Sequence, residues 1–325
     1  EETGMKGWRL LAGALLFGSA VAAGAQSFPS KPIRIIVPFP AGGAGDVVPR
    51  VIGQHLQRTL GQPVVVENKT GAEGTIGVDA VAKAPPDGYT LGVATSGPVV
   101  IGKRLFPNIP YDPKKDLVPL ILTYETPFVL VVNPNSPAKS APELFALAKK
   151  SPGKLNAAIP NNGSIQHLLT EMMKSTVGLE IANIPYKGGA PAATDVAGGQ
   201  VDLTWGALPN VIGLIKGGKL KALAVSSRGR TPLLPDVPTL AELGWPELVA
   251  TNWNGLIAPA GTPAATLDLL NKEINAILLL PEVQQKFSEM GVTALGGTRQ
   301  QFAQLLAEEE KKWAAVIVKS NIKPE

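Results

Sequence analysis

Ile33-Arg34-Ile35-Ile36-Val37-Pro38-Phe39-Pro40-Ala41-Gly42-Gly43-Ala44-Gly45-Asp46-Val47-Val48 is the stretch that decides the fold. Its first five residues are a short apolar β run. Pro38 to Asp46 make a loop rich in proline and glycine. Val47, Val48, Val51, Ile52, Leu56 and Leu60 then recur at the spacing of one helix face. The alternation continues, with Val64 to Val66 as a strand, Thr75 to Lys83 as a helix and Tyr89 to Ala94 as a third strand. Strands separated by helices of this length pair in parallel through right-handed crossovers, so the class is α/β.

A second series starts near Pro127. Phe128 to Val132, Leu155 to Ile159, Ile181 to Pro185, Val201 to Trp205 and Leu220 to Ser226 read as strands. Between them fall a helix opened by a Ser140/Glu143 capping box, a helix from Ile165 to Val177 closed by Gly178, and a helix near 190–197. The chain then returns to the first set. Asn254 to Ala258 is a strand, and Thr262-Pro263 is an N-cap and first helical residue. Two further helices follow, the last opened by a Thr298/Gln301 box. The expected architecture has two doubly wound lobes with a ligand cleft between them. Residues 26–125 plus 252–325 form one lobe and 126–251 the other, and 325 residues suffice for a core in each.

Composition narrows the function. There is no cysteine, which removes zinc–thiolate sites, redox dithiols and cysteine nucleophiles. The net charge is +4, spread thinly, with basic residues in nothing longer than pairs such as Lys149-Lys150 and Lys311-Lys312. A nucleic-acid surface is therefore not expected. At the amino end, Met5 reads as the start. Lys6 and Arg9 form a basic n-region, Leu10 to Ala23 an apolar core, and Ala23-Gly24-Ala25 a signal-peptidase site. Cleavage after Ala25 would place the mature chain in the periplasm. It would remove two acidic and two basic residues and leave the charge unchanged.

Two strand-to-helix loops, one per lobe, carry the candidate chemistry. In Pro38 to Asp46 the glycines let backbone approach a ligand, and the helix behind offers unpaired N–H groups and a positive dipole end. In Pro160-Asn161-Asn162-Gly163-Ser164-Ile165-Gln166-His167, Ser164 is the N-cap, so Gly163 and the following amides are expected to face the cleft. Each loop alone also reads as an ordinary turn. As a pair they set two helix N-termini across one cleft, an arrangement suited to a carboxylate. Asp46 is expected to cap its own helix and to orient a water. Trp205 and Trp253 either wall the pocket, where they would stack on an aromatic acid, or pack the lobes. Glu125 has no assigned place.

Other chemistries fit poorly. Gly43 and Gly45 make a G-x-G, but Val48 stands where a dinucleotide loop needs its third glycine, and no Walker lysine follows. The two histidines, His55 and His167, belong to no H-E-x-x-H, and there is no G-x-S-x-G. No catalytic residue, metal or cofactor is assigned.

Over essentially the whole mature chain the sequence resembles the Bug family, extracytoplasmic solute receptors of tripartite tricarboxylate transporters. The resemblance rests on Pro38-Phe39-x-x-Gly42-Gly43-x-x-Asp46, Pro86-Asp87-Gly88-Tyr89-Thr90, Pro110-Tyr111-Asp112 and Asn162-Gly163-Ser164-x-x-His167-Leu168 in the first half of the chain. It continues with Pro185-Tyr186-Lys187-Gly188-x-x-Pro191, Gly199-x-Val201-Asp202, Leu234-Pro235-Asp236-Val237-Pro238-Thr239 and Ala258-Pro259-x-Gly261-Thr262-Pro263. It implies the type II periplasmic-binding-protein fold and a carboxylate held by Phe39, Ala41, Gly42, Gly43 and Asp46 on one side. Asn161, Asn162, Gly163, Ser164 and Gln166 would hold it on the other. Further contacts are implied from Thr95, Ser96, Thr126, Tyr186 and Asp202, and Trp205 is a candidate wall. The implied partner is a two-component membrane permease, and the receptor is read as a monomer. Ala41, Ala44, Ile165 and Tyr124-Glu125 depart from the family pattern and leave the identity of the acid open among di- and tricarboxylates, amino acids and aromatic acids. The rival readings are a periplasmic sensor domain of the same fold and a secreted hydrolase of a carboxylic acid derivative.

Overall fold

The computed structural model describes residues 28–106 and 108–323. The expected signal peptide and its cleavage site lie outside these residues. β1 (Ile33–Val37) has every residue but Arg34 buried, as a parallel strand covered on both faces must be. α1 (Ala44–Leu60), β2 (Val64–Asn68), α2 (Thr75–Ala82) and β3 (Thr90–Ala94) follow, and β1 pairs in parallel with both β2 and β3. A π-turn at Gly97–Ile101, α3 (Gly102–Leu105) and α4 (Pro113–Asp116) lead to β4 (Leu117–Val132). The second set comprises α5 (Ala141–Lys150), β5 (Leu155–Ile159), α6 (Ile165–Val177), β6 (Ile181–Pro185), α7 (Gly189–Ala197), β7 (Leu203–Ala207), α8 (Leu208–Lys216) and β8 (Lys221–Val225). The return brings β9 (Thr251–Pro259), α9 (Ala264–Leu278), α10 (Pro281–Glu289), β10 (Thr293–Ala294) and α11 (Arg299–Lys319).

The strand order is β2-β1-β3-β9-β4-β7-β5-β6, with β8 and β10 also paired to β4. Both lobes are α/β, and β4 joins them. Its first part pairs antiparallel with β9 as far as Pro127 opposite Thr251; from Phe128 it pairs with β7 and β8. The sequence reading begins this strand at Phe128, because Thr123, Tyr124 and Glu125 break the apolar run. The structure extends it eleven residues earlier, to Leu117. Glu125 finds its partner here, accepting a 2.8 Å hydrogen bond from the Thr251 hydroxyl across the two crossing strands.

Most expected elements stand within two or three residues of their predicted bounds. Three differ in chemistry. Thr262 does not cap α9: its hydroxyl donates to the Pro259 carbonyl, and Pro263 holds the cap position. Glu143 reaches the Lys139 amide and not that of Ser140, so the box at α5 is half closed. α8, whose apolar residues run on from β7, is absent from the sequence reading. The box at α11 closes in both directions.

One lobe packs α1, α9 and α10 on its sheet, and α7 and α8 form a cluster in the other. A third cluster runs through both, and α11 lies along it against β4, the Gly97–Ile101 turn and α6. Inside this contact Glu309, buried, accepts from the indole N–H groups of Trp253 (3.1 Å) and Trp313 (2.7 Å).

The candidate ligand cleft

The glycine loop after β1 is held from below by one carboxylate. Asp46, buried in the first turn of α1, accepts from the Gly42 amide through one oxygen and from Arg50 and Asn68 through the other, at 2.8–3.0 Å. Asn68 also donates to the Phe39 carbonyl at 2.9 Å. The Arg50 hydrogen bonds hold the Asp46 carboxyl at about 2, against the opposing effect of burial and with help from Asn68 and the Gly42 amide. Gly43 is the N-cap of α1 and has no side chain to close it. The amides of Gly43, Ala44 and Gly45 make no intramolecular hydrogen bond among the described residues, and Gly42 and Gly43 are exposed. Gly42 has φ +99°, a glycine conformation, whereas Gly43 has φ −83° and nothing within 4 Å of where a side chain would begin.

In the other lobe, Ser164 caps α6. Its Oγ accepts from the His167 amide (3.2 Å) and donates to the Asn161 carbonyl (2.8 Å). Asn161 donates to the Asn162 carbonyl. The Gly163 amide donates to Nδ1 of buried His167 at 3.0 Å, which fixes the imidazole tautomer with its proton on Nε2. The open amides are those of Ile165 and Gln166. A side chain on Gly163 would come within 2.7 Å of Leu105, so this loop lies against α3 of the opposite lobe. At the carboxyl end of β3, Thr95 and Ser96 are buried and their hydroxyls make no hydrogen bond among the described residues.

Residues 48–322 match the family described as the tripartite tricarboxylate transporter family receptor. The chain belongs to that family. It is 43% identical to the protein BugT of Bordetella pertussis over 94% of each chain. Its fold matches Rhodopseudomonas palustris Rpa4515 with adipate, at TM-score 0.81 and 34% identity over 92% of this chain and 100% of that one. It also matches MatC of the same organism with bound malate, at TM-score 0.75 and 32% identity over 89% and 100%. The protein is thus a solute-binding receptor with the periplasmic-binding-protein fold.

Several of the expected contact residues have partners within the protein. Asp202 sits at the amino end of β7, where its carboxylate accepts from the Asn156 amide at 2.7 Å. The cleft loops leave the carboxyl ends of these parallel strands, about 16 Å away along a five-residue strand, so Asp202 braces the far edge of the sheet. Trp205 is 1% exposed within the shared core and presents no ring face for an aromatic acid to stack on. Thr126 donates its proton to the Gly291 carbonyl and ties the crossing strand to the β10 segment. Tyr186 donates to Asp195, and burial together with that carboxylate raises the phenol pKa. Ser164 and Gly163 build the turn, while Ile165 and Gln166 offer the donors. Asp46 supports the loop from its third helical position, where Gly42, Arg50 and Asn68 engage its carboxylate. Arg50 and Asn68 are absent from the sequence reading. Arg50 lies four residues after Asp46 on α1, a spacing that marks a helical pair, whereas Asn68 meets Asp46 only once β2 lies beside β1.

Proposed function

We propose that the receptor binds a small carboxylate between its lobes, lobe 26–125 plus 252–325 closing on lobe 126–251 about the paired crossing strands at Pro127 and Thr251. The observation that carries this is the set of open donors: three amides at the start of α1, two at the start of α6, and the Thr95 and Ser96 hydroxyls between. Helix N-termini of this kind hold an anion without a formal cation. Ser164 Oγ, engaged on both sides, is in no position to act as a nucleophile, which favours a receptor over a hydrolase. Adipate and malate bound to family members support the same class of ligand. The loaded form would be presented to a two-component permease from the periplasm.

A thermal-shift screen of the mature protein against citrate, C4 to C8 dicarboxylates, acidic amino acids and benzoate-type acids tests the reading. At 100 times the dissociation constant a bound acid adds about 2.7 kcal/mol, several degrees in Tm. Recovery of the acid unchanged marks a receptor. A shift with sugars or cations alone would refute the carboxylate reading.

A further inference from the structure

β3 and β9 run antiparallel with Gly92 opposite Ile257, Val93 opposite Leu256 and Ala94 opposite Gly255. Continuing this register by one residue sets Thr95 beside Asn254, and on the other side β4 places Tyr124 opposite Asn254. Alternation along the strands puts Thr95 with Val93, and Asn254 with Leu256 and Ala258. These belong to the α1-side core that also receives Phe39 and Ala44 from the glycine loop. Asn254 is therefore on the same face as the open amides of α1, at the level where β3 ends.

Its side chain is unusual for that place. Asn254 is 3% exposed, yet its Oδ1 is buried with no hydrogen-bond partner, and its Nδ2 donates to no group among the described residues. Its backbone carbonyl accepts from the Thr123 hydroxyl at 2.9 Å. Buried amides are nearly always paired, so an unpaired one beside open donors points to a partner from outside the chain. Thr95, on the same face and 9% exposed, also has a hydroxyl that makes no hydrogen bond among the described residues.

We propose that Asn254 is a specificity-determining residue that, with Thr95, reads a hydroxyl on the bound acid, so that the receptor favours hydroxycarboxylates over their deoxy counterparts. This rests on the carboxylate reading above. The chemistry follows from what an amide edge offers: one donor and one acceptor side by side. A second carboxylate would satisfy the nitrogen and leave Oδ1 unpaired. An ammonium would do the reverse. A hydroxyl, donor and acceptor at once, satisfies both.

Titration calorimetry on the mature protein decides it, with acids that differ by one hydroxyl: succinate and malate, glutarate and 2-hydroxyglutarate, adipate and 3-hydroxyadipate. The wild type should bind the hydroxylated member of its preferred pair at least about tenfold more tightly. Asn254→Leu should bring that ratio to about twofold or less while the deoxy acid keeps its affinity. Thr95→Val, on the same face, should weaken the preference independently of any folding defect at position 254. The ligand-free Tm gives a second readout: Asn254→Leu should leave it unchanged or raise it, since an unpaired amide is removed. Equal wild-type affinity for both members of a pair, or a preference that survives in Asn254→Leu, overturns the proposal while the carboxylate reading stands. Binding of no acid in any pair or in the wider screen removes both.

Discussion

Gly42 and Gly43 are neighbours in one loop, and their substitutions should fail in different ways. Gly42 occupies φ +99°, where an L side chain costs about 1–2 kcal/mol, so Gly42→Val should lower Tm before it affects any ligand. Gly43 lies in ordinary extended backbone with open space ahead of it. Gly43→Val should fold normally and lose at least about tenfold in affinity by calorimetry, because the new side chain stands where the solute must meet the α1 amides. An unchanged affinity would place the site elsewhere. Asp46 makes a third case. Its carboxyl is held at about 2, below the ordinary 3.8, so its stabilisation is full above pH 4 and is lost as pH falls through about 2. The shift corresponds to roughly 2 kcal/mol. Urea unfolding at pH 7 should show Asp46→Asn destabilised by about that amount, and the gap to wild type should close on going from pH 4 to pH 2.

At the scale of the element, α6 shows how far a sequence reaches. Ile165 to Val177, its Ser164 cap and its Gly178 stop are all readable, because caps and periodicity act within a few residues. Which amides remain open is not, since that depends on His167 folding back to accept from Gly163. The long β4 strand was half hidden for a similar reason: Thr123 and Glu125 look like loop residues until β9 supplies the Asn254 carbonyl and the Thr251 hydroxyl as their partners. Asp202 is the opposite case, its motif being legible in the sequence and its bond to the Asn156 amide at the amino end of β7 not. The cap itself can be tested. Ser164→Ala should cost about 1 kcal/mol and weaken binding by loosening the first turn, whereas Ser164→Asp keeps an acceptor for the His167 amide and should retain most of the stability. Loss of binding without loss of stability in Ser164→Ala would instead assign the hydroxyl to the ligand.

Over the whole molecule, the two lobes share a core and a helix. Glu309 on α11 holds Trp253 and Trp313 together inside the cluster that reaches α6. Glu309→Ala leaves two buried indole donors without an acceptor and should cost about 2–4 kcal/mol. Its melts followed by circular dichroism and by tryptophan fluorescence should still coincide, because neither lobe has a boundary at which to unfold alone; two separated transitions would contradict this. The unbroken strand β4, bonded along its length to β9 on one side of Pro127 and to β7 and β8 on the other, has one more consequence. Lobes joined by a loose linker swing like a door, but lobes that share a hydrogen-bonded ribbon move only by flexing it, as a leaf spring does. In the proposed closure, work stored in that flexure would oppose capture and assist release, and the stiffness of the strand would then set how readily the receptor lets go of its cargo.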